Sequence, residues 1–197
     1  SNDLPLISPS CKKKPKAVLV KGRSNYLCSR RLREAIEEEG LLMADDHPLR
    51  KISQWESAGT SGDRAALPFR VDDSTWSKVC SEADTCLSLL CPFRESCHVI
   101  AVRKEAASAQ IIVVNHHLLF ADVASRQRAS SVDQTSILPS YSALVLDEAH
   151  AIESSATSLF TESLSSQGMQ KKLSRLYRKT RKGRFGALAK LAKLDSG

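Results

Sequence analysis

A group of cysteines in the middle of the chain has the spacing of a site that could do chemistry. Cys80, Cys86, Cys91 and Cys97 lie within the 18-residue segment CSEADTCLSLLCPFRESC, with gaps of five, four and five residues. In a reducing compartment such a group is more often a metal or iron–sulfur site than a set of disulfides. Free cysteines are also common in apolar cores, but the mostly polar sequence here favours metal binding over buried thiols.

The gaps between the cysteines bear on which metal they bind. Structural zinc sites usually pair cysteines at short spacing, as in C-x2-C knuckles, and no such knuckle occurs here. Iron–sulfur clusters accept wider and more varied spacings, because the irons are spread over a larger volume than a single ion. The spacing therefore favours an iron–sulfur cluster, with zinc as the alternative.

Two adjacent acids, Asp147 and Glu148, follow the apolar run ALVL at 143–146. If that run is a strand of a parallel sheet, Asp147 lies at its carboxyl end, where open α/β sheets bind ligands. An Asp in this position of a nucleotide hydrolase binds Mg²⁺, and a neighbouring Glu orients the attacking water. The alternative is that the acids merely start a helix, where the helix dipole favours them.

Apolar runs predict the elements that position these residues. AVLV at 17–20, IIVV at 111–114 and ALVL at 143–146 have the pattern of strands buried in a parallel sheet, which predicts an α/β fold. Because two or three strands cannot complete a doubly wound sheet, the sequence predicts an incomplete domain.

Helices and loops are predicted between the strands. A helix starting at Asn25 or Ser29 ends at Gly40, and Asn115 caps another helix. Residues 43–75 are predicted to form a long loop or a small irregular excursion. A helix is predicted to start at Pro92, and residues 124–141 are predicted to be a linker.

Composition permits a polyanionic partner and disfavours membrane insertion. The net charge is +7, and the chain contains no apolar run of about 18 residues and no N-terminal signal pattern. We expect a cytoplasmic protein. The Ser-Asn start resembles the scar of a cleaved tag on a piece of a larger protein.

VLDEAH resembles the Walker B box of the DEAH-type superfamily 2 helicases. Three other segments stand in the order seen in the XPD/DinG-like iron–sulfur helicases: VLVKGRSNYLC at 18–28, CLSLLCPFRESC at 86–97 and VVNHHLLFAD at 113–122. The resemblance covers roughly residues 17–153.

The resemblance implies a different set of cysteines from the one that proximity selects. It makes Cys28, Cys86, Cys91 and Cys97 the ligands of a [4Fe-4S] cluster, and it leaves Cys80 and Cys11 as ordinary thiols. It also implies that Asp147 binds Mg²⁺ with ATP, that Glu148 activates water and that His150 couples the nucleotide state to the motor. Asn115 and His116 match a family segment that leads back into the sheet.

The family pattern also implies a domain layout. Residues 1–24 and 111–155 belong to a partial RecA-like helicase domain 1, and residues 25–110 form an inserted, mainly helical iron–sulfur domain. Residues 156–197 begin a helical arch domain.

The sequence departs from the family in having no G-x-x-x-x-G-K-[ST] loop. Because no loop then binds the β- and γ-phosphates, we expect this chain not to hydrolyse ATP. The resemblance implies that the full-length parent is an ATP-dependent DNA helicase active in DNA repair.

Basic residues near the cysteines are the predicted DNA contacts. Arg94, Arg103 and Lys104 are expected to lie beside a single strand or duplex junction, in a protein that acts as a monomer. The basic C-terminal segment, with Leu173, Leu176 and Tyr177 on one helix face and Leu188, Leu191 and Leu194 on another, is a weaker candidate. Two alternatives are a non-enzymatic DNA-binding module built around a four-cysteine metal site and a DinG-type exonuclease parent.

Overall fold

A computed structural model describes residues 15–40, 43–128, 136–161, 169–170, 173–174, 176–180 and 183–194. Within this part of the chain no helix has both the length and the apolar character needed to cross a bilayer.

A two-stranded parallel sheet forms one part of the protein. Strand β1 (Ala17–Leu19) pairs with β2 (Ile111–Val113), and Val18 lies opposite Ile112. Both runs are rich in β-branched residues, which pack well on a pleated sheet. Parallel pairing of the two predicted strands confirms the α/β interpretation in its coarse form. The prediction that 111–114 is buried on both faces is wrong, because Ile111 and Val113 are each more than a third exposed.

Four helices stand between these strands in the chain. They are α1 (Ser29–Glu39), α2 (Pro48–Ser57), α3 (Asp73–Val79) and α4 (His98–Ala107). The first three enclose an apolar cluster, the helical core, made of Leu27, Leu32, Ala35, Leu49, Ile52, Trp55, Trp76, Val79 and Cys80. Helix α1 was expected, and its end at Gly40, which has φ 86°, is confirmed.

The loop prediction for residues 43–75 is wrong. Helix α2 lies within that segment and buries Leu49, Ile52 and Trp55, which recur at three-residue spacing along one face. Pro48 occupies the first helical turn, where its missing N–H costs nothing, and His47 caps the helix through Nδ1. The proline was read as a loop signal, but in this position it starts a helix.

The predicted helix start at Pro92 is also wrong, because α4 begins at His98 with Cys97 as its N-cap. The residues before it form turns, in which the Cys97 N–H donates to the carbonyl of Arg94.

Helix α5 (His116–Arg128) follows β2 and packs beside the sheet. Asn115 Oδ1 accepts a hydrogen bond from the Leu118 N–H at 2.9 Å, which confirms the predicted cap. Leu118 and Leu119 join Val18, Val20, Ala106 and Leu138 in a second apolar cluster, the sheet core. Because α5 continues to Arg128, the linker predicted at 124–141 is helical at its start, and residues 129–135 lie outside the described residues.

The strand predicted at 143–146 is not formed. Leu144, Val145 and Leu146 have no strand partner among the described residues and are 51%, 91% and 44% exposed. An isolated apolar run cannot satisfy its backbone as a strand without a neighbour. The chain then enters a 3₁₀ turn (Ala149–Ala151) and helix α6 (Ile152–Phe160), which packs against α5.

The C-terminal part contains an antiparallel pair, β3 (Arg178–Thr180) and β4 (Gly183–Phe185), followed by helix α7 (Ala187–Leu194). A helix at 188–194 was predicted and is present, with Leu188 and Leu191 exposed. The segment joins α1 through an ion pair of 2.5 Å between Arg178 Nη2 and Glu38 Oε2.

Candidate functional site: a cysteine-lined cavity

The described part of the structure has a cavity of about 450 Å³ between the helical core and α4. Four cysteines line it: Cys28, Cys86, Cys91 and Cys97. These are the four that the family resemblance selects. A water molecule takes about 30 Å³ of liquid, so the cavity has room for much more than one ion. Among the described residues, no three His, Cys, Asp or Glu side chains stand close enough to hold a single metal ion.

Two of the four cysteines occupy the same position at the start of a helix. Cys28 is the N-cap of α1, and Cys97 is the N-cap of α4. The positive end of each helix dipole therefore lies beside a cysteine that lines the cavity, a position that suits a negatively charged group. Burial raises the pKa of the Cys28 thiol, and the adjacent backbone N–H groups and charges of Arg31 and Arg30 act in the opposite direction.

The other two cysteines lie on a loop that closes one side of the cavity. Cys91 ends a 3₁₀ turn (Ser88–Leu90), and Cys86 lies just before it. Ser88 takes a left-handed backbone conformation with φ 49°. The turn holds Leu89 and Leu90 at the surface, 76% and 86% exposed, whereas Leu87 and Ser88 line the cavity together with the two cysteines.

Cys80 does not line this cavity, although it is closest in sequence to Cys86. Its side chain is 4% exposed within the helical core, and its backbone bridges Leu27. The four cysteines that lie close together in the sequence therefore include one, Cys80, whose thiol packs as an apolar side chain. They do not include Cys28, which lines the cavity. Cys11 lies outside the described residues.

The cavity wall is strongly basic. Among the described residues that line it, one is a carboxylate, Glu82, and it pairs with Arg31 at 3.1 Å. The cationic residues of the described lining are Arg23, Arg30, Arg94, Arg103 and Lys104. The described lining therefore carries more positive than negative charge, which suits a bound group of negative charge. Arg23 and Arg30 were not predicted as site residues, although KGR and SRR beside Cys28 in the sequence were a usable signal.

A half-buried contact supports the start of α4. His98, the residue after Cys97, has Nε2 3.9 Å from Glu56 Oε1 of α2. This interaction with His98 is the main reason that the pKa of Glu56 is lowered, against the effect of burial. Gly62, with φ 70°, lies so close that an added Cβ would stand 2.2 Å from the His98 ring. Glu56, Gly62 and His98 thereby fix the start of α4 and, with it, the position of Cys97. Sequence patterns did not indicate these three residues.

Another polar group, which the sequence analysis missed, supports the far wall from behind. Asp122 of α5 is fully buried, and its Oδ1 accepts hydrogen bonds from the N–H groups of Ile137 and Leu138 at 2.7 and 2.9 Å. Its Oδ2 accepts from Arg126 Nε at 2.6 Å. Asp122 thereby holds residues 136–139, which line the cavity, against α5. An acid inside the apolar helical run HLLFADV is the sequence signal that could have found it.

The acids of the DEAH segment lie elsewhere, at the surface. Asp147 Oδ1 accepts a hydrogen bond from the Glu148 N–H at 2.9 Å, and Glu148 has φ 50°. His150 Nδ1 is 3.3 Å from Glu148 Oε2, with both side chains more than 70% exposed. Asp147 does not follow a strand, contrary to the prediction, because residues 143–146 have no partner. His116 begins α5, and the adjacent His117 contacts Ser158 of α6 at 3.4 Å.

Comparison with known proteins identifies the class to which these motifs belong. No family model matches the chain. It is 34% identical over 174 residues to the ATP-dependent DNA helicase YoaA of Escherichia coli, a match that covers 85% of this chain and 26% of that protein. It is 32% identical over 169 residues to the ATP-dependent helicase DinG of Mycobacterium tuberculosis, covering 78% of this chain and 24% of DinG.

A third relative, the ATP-dependent DNA helicase DinG of Photobacterium profundum, is 28% identical over 189 residues, covering 89% of this chain and 26% of that helicase. Over most of its length the chain is therefore similar to a part of the DinG-like helicases, the resemblance that the motifs predicted. It spans about a quarter of the length of these relatives.

Proposed function

We propose that this chain is part of an ATP-dependent DNA helicase and that Cys28, Cys86, Cys91 and Cys97 bind a [4Fe-4S] cluster in it. The observation that supports the cluster is the cavity itself, which brings together one cysteine from before α1 and three from a loop more than 55 residues further along the chain. The donor set fits, because iron–sulfur clusters are held by four thiolates. The cluster supplies a rigid crosslink between α1, the loop and α4.

The protein's own residues prepare the cavity for this group. Two helix N-termini and the basic wall place positive charge around the sulfurs, and residues 136–139 line the cavity together with them. We propose the domain layout given above on the same basis: residues 25–110 as the cluster domain, flanked by helicase domain 1 at 1–24 and 111–155, with the arch beginning at 156.

DNA is the proposed polyanionic partner. Of the three predicted contacts, Arg94 and Lys104 are exposed at the rim of the cavity and can reach phosphates of a single strand or a junction. Arg103 is half-buried in the wall, and its position is considered below.

In the full-length protein we assign Mg²⁺ and ATP to Asp147, activation of water to Glu148 and coupling to His150. In this chain these side chains are exposed and no phosphate-binding loop accompanies them, so the 197-residue chain alone should not hydrolyse ATP.

The enzymatic assignment is tested in a full-length protein that carries this sequence. Glu148→Gln should lower DNA-stimulated ATP hydrolysis by about 10²-fold or more, the usual contribution of a positioned base, with DNA binding retained. Glu153→Gln, in the first turn of α6, is the matched control and should hydrolyse ATP normally. Equal ATP hydrolysis by the two variants would contradict the role of Glu148, and a full-length protein without DNA-stimulated ATP hydrolysis would favour a non-enzymatic DNA-binding module.

A further inference from the structure

We propose that Arg103 is a positioning residue for the iron–sulfur cluster, whose charge compensates the negative charge of the bound cluster, and that it is not a DNA contact. The inference rests on the cluster assignment in the proposed function and goes beyond it by giving a role to a residue that is not a ligand.

The position of Arg103 in helix α4 places it on the helix face that lines the cavity with the cysteines. Helix α4 starts directly after Cys97, and its residues 99, 100, 103, 104 and 107 line the cavity, a spacing of three and four that marks one helix face. Arg103 is six residues beyond Cys97, about 9 Å along the axis at 1.5 Å per residue. Because long side chains on a helix lean toward its N-terminus, the Arg103 side chain leans toward Cys97.

Arg103 is more buried than the other basic residues that line the cavity from helix α4 and from the loop before it. Arg103 is half-buried, whereas Arg94 and Lys104 are exposed. Burial and the neighbouring charge of Arg23 lower the pKa of Arg103, while Cys97, Asp122 and Cys86 favour its charged form. An arginine nevertheless stays protonated in a protein, so the wall carries a fixed positive charge close to two of the proposed ligands.

The nearby carboxylates do not neutralise the charge of Arg103, so that charge is available to the thiolates. Among the described residues no Asp or Glu lies within ion-pair distance of it. Asp122, which favours its charged form from a greater distance, is already bonded to Arg126 at 2.6 Å. Four thiolates around a [4Fe-4S] core carry a net negative charge. The guanidinium therefore has its compensating charge inside the cavity when the cluster is bound.

The inference predicts that removal of the charge loosens the cluster. Purified anaerobically, Arg103→Gln should lose its absorbance near roughly 400 nm at least about tenfold faster in the presence of an iron chelator, the lower end of what loss of an outer-shell partner costs a metal site. Its reduction potential should shift to a more negative value, because loss of a nearby cation disfavours the added electron.

Two variants control for general effects. Arg70→Gln makes the same chemical change at an exposed arginine away from the cavity and should retain the cluster at the wild-type rate. Arg103→Lys keeps the charge and should lie close to wild type in potential, which separates loss of charge from loss of packing. Far-UV circular dichroism of each variant checks that it folds.

DNA binding supplies the independent readout. In samples with equal cluster content, the salt dependence of binding to a single-stranded oligonucleotide should be unchanged by Arg103→Gln, whereas Lys104→Gln should reduce its slope by about one phosphate contact.

The outcomes distinguish the two levels of the proposal. Wild-type protein with no iron or sulfide overturns the cluster assignment, and the role of Arg103 with it. A wild-type cluster together with an Arg103→Gln variant as stable as Arg70→Gln overturns the role of Arg103 alone. A reduced salt slope in Arg103→Gln also contradicts it, since the guanidinium would then contact phosphate.

Discussion

At the scale of single residues, the structure divides the cysteines into two kinds that sequence distance does not separate. Cys80 is packed in the helical core, whereas Cys28, distant in sequence, lines the cavity with Cys86, Cys91 and Cys97. The division depends on where each Cβ points in the folded chain. Spacing alone could therefore favour a cluster but could not select its ligands.

We expect Cys28→Ser to abolish the cluster and Cys80→Ser to leave it in place, because only the first removes a sulfur that lines the cavity. Cys80→Ser buries a hydroxyl group in the helical core and should lower the free energy of unfolding by about 1 kcal/mol. Iron and acid-labile sulfide per chain measure the first effect, and urea denaturation measures the second. Equal loss of iron from both variants would contradict the ligand set.

The interaction of Glu56 with His98 should make stability depend on pH in a defined direction. The pKa of Glu56 is lowered in the folded protein, so its carboxylate stabilises the fold above its unfolded pKa, near 4.5. That contribution is lost as the pH falls through the lower, folded value. The difference in urea midpoint between wild type and Glu56→Gln should therefore be larger at pH 6 than well below pH 4.5. A difference that grows as the pH falls would contradict this sign.

At the scale of elements, the contact between α2 and α4 depends on a glycine. Gly62→Ala and Gly59→Ala both place a side chain at positive φ, 70° and 79°, but only at Gly62 does the new Cβ meet the His98 ring. We expect Gly62→Ala to lose about 1–3 kcal/mol more stability than Gly59→Ala, the usual cost of overpacking. Urea denaturation of the two variants measures the difference. Combining Gly62→Ala with His98→Ala should recover part of it, and equal losses in the two glycine variants would contradict the proposed clash.

How far the elements could be predicted depended on whether their signals were local. Helix α1, strand β2 and the Asn115 cap follow from apolar spacing and a neighbouring polar side chain, and all three are present. Helix α2 was missed because a proline at its first position reads as a loop signal. The run at 143–146 reads as a strand but needs a partner strand, and burial of the Glu56–His98 contact needs the tertiary fold. Neither property is encoded in the spacing of a short segment.

At the scale of the whole molecule, the cavity joins parts that are far apart in the chain. Residues from before α1, from the cysteine loop, from α4 and from 136–139 all line it. Four thiolates bound to one group would tie together the segment before α1, the cysteine loop and the start of α4, and metal binding of this kind contributes directly to folding free energy. Apolar residues at 144–146 and on β2 are exposed. The chain spans about a quarter of the length of its relatives.

The cluster is the central claim, and its direct test is an ultraviolet–visible spectrum of anaerobically purified protein together with iron, zinc and sulfide analysis. We expect a broad band near roughly 400 nm with about four irons and four sulfides per chain. One zinc per chain without sulfide would contradict the claim and leave a zinc-thiolate module at the cavity.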